Sequence, residues 1–201
     1  MVELTVGAGI ARGLFRFAVA RGADAEALRA RSGLDAADLD DQDKRVAMTR
    51  YIALMRAAKE LSGDAAIALH YGEEVDLSEV SIAGLIMNAS ADMREAFVQM
   101  NRFGRLAVEV ETEAGASRFK HVLENGELWL VDTRSDPEPF HELTEVTFAR
   151  QLCGLRRFLP RPFALEVHVT HPAPAYAAEY VRVFGCPVVF DARWNAMRTD
   201  A

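Results

Sequence analysis

The chain has 201 residues, half of them apolar, enough for one good-sized domain or two small ones sharing a core. Its 30 acidic residues outnumber 23 basic ones, and the resulting net charge of −7 repels phosphate backbones, which makes the chain by itself a poor candidate for binding DNA. The 2 cysteines fit no metal spacing, and no basic n-region with an apolar h-region follows Met1, so a reducing cytoplasm is expected; no window of about 18 uncharged apolar residues exists to span a membrane.

The first half reads as helices. In "AGIARGLFRFAVARG" the residues Ile10, Leu14 and Phe17 share one stripe before Gly22, and "DAEALRARSGL" opens on Asp24 as an N-cap and closes at Gly33. From Thr49, "TRYIALMRAAKELSG" sets Tyr51, Leu54, Met55, Ala58 and Leu61 at helical spacing; Gly63 stops it, and Asp64 can cap a further helix through Tyr71. Ser90 and Asp92 open the strongest helix, with Met93, Ala96, Phe97, Met100 and Ala107 on its apolar stripe.

Around Leu106 the period changes from helical to alternating. "VEVETE" points Val108, Val110 and Thr112 one way and Glu109, Glu111 and Glu113 the other, the pattern of a half-buried strand with a solvated acidic face. Asn125-Gly126, between two apolar alternations, is the preferred pair for a two-residue type I′ hairpin. This register sets Glu124 opposite Glu127, Leu123 opposite Leu128 and His121 opposite Leu130, with Val122 opposite Trp129 on the reverse face. From Glu142 to Phe158 a helix is expected, with Phe148, Leu152, Leu155 and Leu159 on one stripe before Pro160 and Pro162. A strand "FALEVHVT", a short helix carrying Tyr176, Tyr180 and Val183 on one side and ended by Gly185, and a last strand "PVVF" complete the order. The pattern predicts an α+β class in which a helical N-terminal half packs on a mostly antiparallel sheet with two further helices. A single domain over 1–201 is expected, helical over 1–106 and sheet-containing over 107–201.

Signals for chemistry are sparse. His168 and His171 form an HxxH, but three residues apart on a strand they point to opposite faces, and His171 already lies in the Pro172 turn. His121 falls among Phe119, Leu123, Leu128 and Leu130, where a polar group either finds a partner at the sheet margin or meets a ligand. Cys153 and Cys186 lack a histidine or helix N-terminus to activate them and read as inert thiols. Met87, Met93, Phe97 and Met100 could line an adaptable apolar pocket or simply fill a core. Arg150, Arg156 and Arg157 form the one basic cluster of note. No GxGxxG, P-loop, GxSxG or zinc signature is present, so no enzyme, metal or cofactor is expected.

Read together, the stretches "ARGADAEALRARSGLDAADLDDQDKRV", "AAKELSGDAAIALHYGE", "SIAGLIMNASADMREAFVQMNRFGRLAVEVE" and "VHVTHPAPAYAAEYVRVFGCPVVFDARWNAM" resemble the amino-terminal regulatory domain of AraC-type bacterial transcription regulators, in the arabinose-binding-domain branch. Order and spacing carry the resemblance over nearly the whole chain. It implies a cytoplasmic sensor and dimerisation domain that binds a small organic effector and controls a helix-turn-helix DNA-binding region, which in this family follows the domain and is absent from these 201 residues. A helical half followed by a sheet is also similar to the haem nitric-oxide sensors, but the Tyr-Ser-Arg arrangement that anchors haem propionates is missing. With an effector expected between the helical half and the sheet, the candidate ligand contacts are Phe97, Met100, His121, Trp129 and Phe148. The alternative is a homodimerisation module without a small ligand.

Overall fold

Asp24 and Gly33 frame the first short helix much as their chemistry dictates: the Asp24 carboxylate accepts from Ala27 N at 2.7 Å, and Gly33 closes the helix at φ +68°. The computed structural model describes residues 3–112, 116–156, 159 and 161–199. It divides the chain into two compact units, one of residues 1–67 and 75–110, the other of residues 68–74 and 111–201.

In the first unit, strand β1 (Thr5–Gly7) pairs antiparallel with β2 (Arg45–Ala47). Helix α1 (Ala8–Ala20) packs on α4 (Met48–Ser62), which also carries α2 (Ala25–Ser32). Ile10, Leu14, Leu28, Tyr51, Leu54 and Met55 are all at most 2% exposed and form its core. Short helices α3 (Ala36–Leu39) and α6 (Leu77–Val80) link the larger ones, and α7 (Ile82–Asn88) pairs with α8 (Met93–Ala107), whose N-cap is Asp92 through Glu95 N at 2.8 Å. Gly9 is required for the packing of α1: a Cβ there would stand 2.2 Å from Val80 O.

In the second unit, β3 (Phe119–Glu124), β4 (Glu127–Asp132), β5 (Ala164–His168), β6 (Val188–Val189) and β7 (Asn195–Thr199) form one sheet in the order β3-β4-β7-β5-β6. Every pairing is antiparallel except β5 with β6. The hairpin register is the one expected, from Glu124 opposite Glu127 to His121 opposite Leu130, and Asn125 and Gly126 both take positive φ. Helix α9 (Glu142–Leu155) follows a 3-10 turn at Glu138–Phe140; α10 (Ala177–Phe184) ends at Gly185 with φ +67° and packs on α9. The stretch Ala68–Glu74 of helix α5 (Ile67–Glu74) belongs to this unit as well. Gly72 there lies so close to α9 that a Cβ would sit 2.6 Å from Val146 O and 2.7 Å from Ala149 Cβ.

Three expectations need correction. The alternating stretch from Val108 forms no named strand: Val108 makes a single bridge to Val6, Thr112 another to Arg134, and Glu113 lies outside the described residues. Glu109 is not merely solvated, because its carboxylate accepts from Thr5 N at 2.9 Å and Thr5 Oγ1 at 2.7 Å, and these bonds hold it below the usual carboxylate range. "PVVF" is not the last strand; "NAMRT" is, and it lies at the sheet centre between β4 and β5. The helix expected from Asp64 starts at Ile67, since Asp64 spends its side chain on Ala66 N at 3.0 Å in the preceding turn.

The close approach of α5 to α9 at Gly72 involves backbone that cannot swing aside. Gly72→Ala is therefore expected to lower stability by about 1–3 kcal/mol, read as a shift of the urea unfolding midpoint; an unchanged midpoint would contradict this packing.

Candidate functional site

The five residues singled out from the sequence fall in different settings. Phe97 and Met100 are half-buried on α8 in the first unit. In the second unit Phe148 is fully buried on α9, whereas His121 is exposed and its strand neighbour Leu123 is 74% exposed. Strand alternation turns Trp129 to the opposite face from His121. Trp129 packs with Val131 and Ala196, its ring 4.5 Å from that of His168 and 5.5 Å from that of Trp194.

The first unit carries an open groove of about 360 Å³ whose walls include Val80, Ile82 and Leu106 and whose rim includes Gln42, Asp43 and Arg45. None of the five residues lines it. Arg45 is committed elsewhere: it donates to Thr5 Oγ1 and Thr5 O, each at 2.9 Å, to Arg105 O at 3.3 Å and to Leu106 O. A cation on the last carbonyls of α8 is the favourable end of the helix dipole, and Glu109, 3.8 Å away, offsets its charge. The groove therefore has apolar walls with a neutral to acidic rim.

Polar groups converge more densely along α9. Residues 142–149 are all buried, and among them are Glu142, Thr144, Glu145 and Thr147. On one side Arg118 Nη2 meets Asp132 at 3.3 Å and donates to Thr147 Oγ1 at 3.2 Å, while Arg134 donates to Thr144 Oγ1 at 2.7 Å and Phe140 O at 3.1 Å. Arg134 Nε is enclosed with no hydrogen-bond partner. Burial pushes the Arg134 guanidinium down to about 10 despite the countercharge of Asp132, and Arg118 adds to that push.

On another side the Glu145 carboxylate, whose side chain is wholly enclosed, accepts from Tyr176 Oη at 2.9 Å and from Tyr180 Oη. His171, 4% exposed, lies 2.9 Å from Tyr180 Oη through Nε2 and 2.9 Å from Pro172 O through Nδ1. The His141 ring lies tilted against that of His171, centroids 4.6 Å apart, with its Nε2 3.8 Å from Glu145. Burial first, and then the neighbouring carboxylate, raise both tyrosines far above the ordinary phenol range, so both remain protonated.

The sequence held a partial signal for this cluster. Glu145 extends the apolar stripe of Phe148, Leu152 and Leu155 backward by one turn, a carboxylate where an apolar residue belongs, and Tyr176 and Tyr180 share one helix side. His171 and Arg118 could not be placed, because only the fold brings their loops to α9. Cys186 is a buried thiol pushed up to about 11 by desolvation, and Cys153 donates to Val183 O at 3.5 Å and accepts from Arg156 Nη1 at 3.7 Å. Of the basic cluster, Arg157 lies outside the described residues. No group of histidine, cysteine and carboxylate residues among the described ones could hold a metal, and no described helix is long and apolar enough to cross a membrane.

Residues 22–201 match the model of the arabinose-binding domain of AraC transcription regulators, N-terminal. No curated protein matches the chain significantly.

Asp132, 1% exposed through its side chain, pairs with the Arg118 guanidinium and opposes the loss of charge on Arg134. Asp132→Ala is expected to cost about 3–5 kcal/mol in chemical denaturation, because it strands buried cations, whereas Thr147→Val should cost under about 1.5 kcal/mol. Equal losses for the two variants would refute the pairing.

Proposed function

Because the chain belongs to the family of N-terminal arabinose-binding domains of AraC transcription regulators, we propose that it binds a small organic effector, forms a homodimer, and through these two events controls a helix-turn-helix DNA-binding region in the cytoplasm. The family match over residues 22–201 is the observation that carries this reading. The groove bounded by Val80, Ile82 and Leu106 is the proposed effector pocket: its volume of about 360 Å³ suits a small molecule. With Arg45 spent on carbonyls and Asp43 on the rim, it favours an apolar body with a neutral or cationic head over an anion. Leu85 and Val98, 49% and 55% exposed on α7 and α8, favour the second reading, in which this helix pair is a protein contact and no small ligand is involved.

A ligand that binds only the folded chain must raise its melting temperature as concentration rises. A panel of amines, fatty acids, amino acids and sugars is expected to include compounds that do so, with the response lost in Ile82→Trp, which fills the groove. A panel without any response, alongside a concentration-dependent dimer in analytical ultracentrifugation, would replace the effector reading with the dimerisation reading.

A further inference from the structure

Three arginines and a valine share one face of α8: Arg94, Val98, Arg102 and Arg105 follow one another at helical spacing, and all are exposed. Val98 is 55% exposed and Leu106, which follows Arg105, 48%; on α7, which packs on α8, Ile82 and Leu85 are 45% and 49% exposed. Glu95, the only carboxylate within α8, turns back to accept from Ala91 N at 2.8 Å, so the face keeps its positive sign. Glu109, which feels Arg105, is held by Thr5.

The same unit carries the opposite charge close by. The loop between α3 and β2 exposes Asp40, Asp41 and Asp43, and Asp43 lines the same groove as Leu106, so the acidic loop and the α8 face adjoin. Lys44, the cation within that loop, reaches away to Ala37 O at 3.0 Å. Among the described residues none of these three aspartates and three arginines enters an ion pair, whereas Arg31, Arg45 and Arg50 of the same unit pair with Glu60, Glu109 and Asp38.

We infer that this loop and this helix face form a two-fold interface between two copies of the chain, each acidic loop laid on the partner's arginines with the apolar side chains between them. A two-fold interface uses one patch twice and must therefore be self-complementary. A patch with an acidic part, an apolar part and a basic part meets that condition, because a two-fold axis between loop and helix brings unlike charges together at both ends. Nucleic acid does not fit it: phosphates that met the arginines would also meet Asp40, Asp41 and Asp43. Burial of Val98, Leu106, Ile82 and Leu85 supplies the attraction, while the exposed charge pairs set the register and add little affinity. The inference rests on the homodimer of the proposed function and names its face; it needs no effector in the groove.

Sedimentation of the native chain and of two variants tests it. Arg94→Glu with Arg102→Glu makes the helix face acidic. Asp40→Lys with Asp43→Lys makes the loop basic and spares Asp41, which holds its turn by accepting from Asp43 N at 3.0 Å. Like charges then meet twice in each variant, so each alone should dimerise at least about a hundredfold more weakly than the native chain. Mixed in equal amounts, the two should form a heterodimer of near-native affinity: the acidic helix face meets the basic loop, and the unaltered helix face meets the unaltered loop. A folding defect cannot produce that recovery. Loss in both variants without recovery in the mixture contradicts the reciprocal pairing. A native dimer that survives either reversal overturns this face and leaves the homodimer standing, whereas a native chain that stays monomeric at every concentration overturns both. Should one reversal fail to fold, a dimer of native affinity in the other overturns the inference by itself.

Discussion

A glutamate side chain with no exposed surface sits one turn into the N-terminus of α9, and two tyrosines of α10 and its approach donate to its Oε1. Removing a carboxylate from water is tolerated only where hydrogen bonds and countercharge replace hydration. The helix N-terminus supplies part of that replacement. The rest comes from Tyr176 and Tyr180 at helical spacing on α10, and from His171 behind Tyr180. For these to reach Glu145, the chain leaving β5 must turn at Pro172 and α10 must lie against α9, so the position of one carboxylate constrains the whole β5–α10 connection.

The same helix organises the opposite side. Thr144 and Thr147 receive Arg134 and Arg118, with Asp132 at the end of β4 as countercharge, so the sheet is tied to α9 through guanidiniums. Arg134 shows the tension in this arrangement, because burial lowers its proton affinity while Asp132 opposes the loss. Gly72 lets the last turns of α5 approach the α9 backbone on a further side. Helix α9 thus meets other elements over most of its surface, which explains why its burial runs unbroken from Glu142 to Ala149 instead of following one stripe.

Those parts of the fold governed by local chemistry were legible beforehand. Asp24, Gly33, Gly63, Asp92 and Gly185 mark helix ends because caps and left-handed residues act within a few residues, and Asn125-Gly126 sets its hairpin register for the same reason. The central strand was not legible. In "NAMRT", Asn195 and Thr199 are buried yet polar, so no alternation of apolar and polar residues announces β7; Asn195 is instead satisfied across the sheet by Thr170 N at 3.0 Å. Val108 to Thr112 showed the reverse failure: a clean alternation that forms only isolated bridges, because Glu109 is drawn to Thr5. The cluster on α9 was visible only as a misplaced carboxylate and a tyrosine pair, since pairings of long sequence separation bring His171 and Arg118 to it.

The family's sensing role gives these contacts a setting. A domain that reports on effector binding needs an element whose surroundings are coupled, and α9, bonded to the sheet on one side and to α10 on another, meets that requirement within its own unit. Native-state hydrogen exchange under increasing denaturant tests this most directly. The account predicts that the amides of α9 from Thr144 to Leu152 are among the slowest to exchange in the second unit, and that they open together with those of β4 and β7 in one step. Opening of α9 at low denaturant while β4 and β7 remain protected would contradict it.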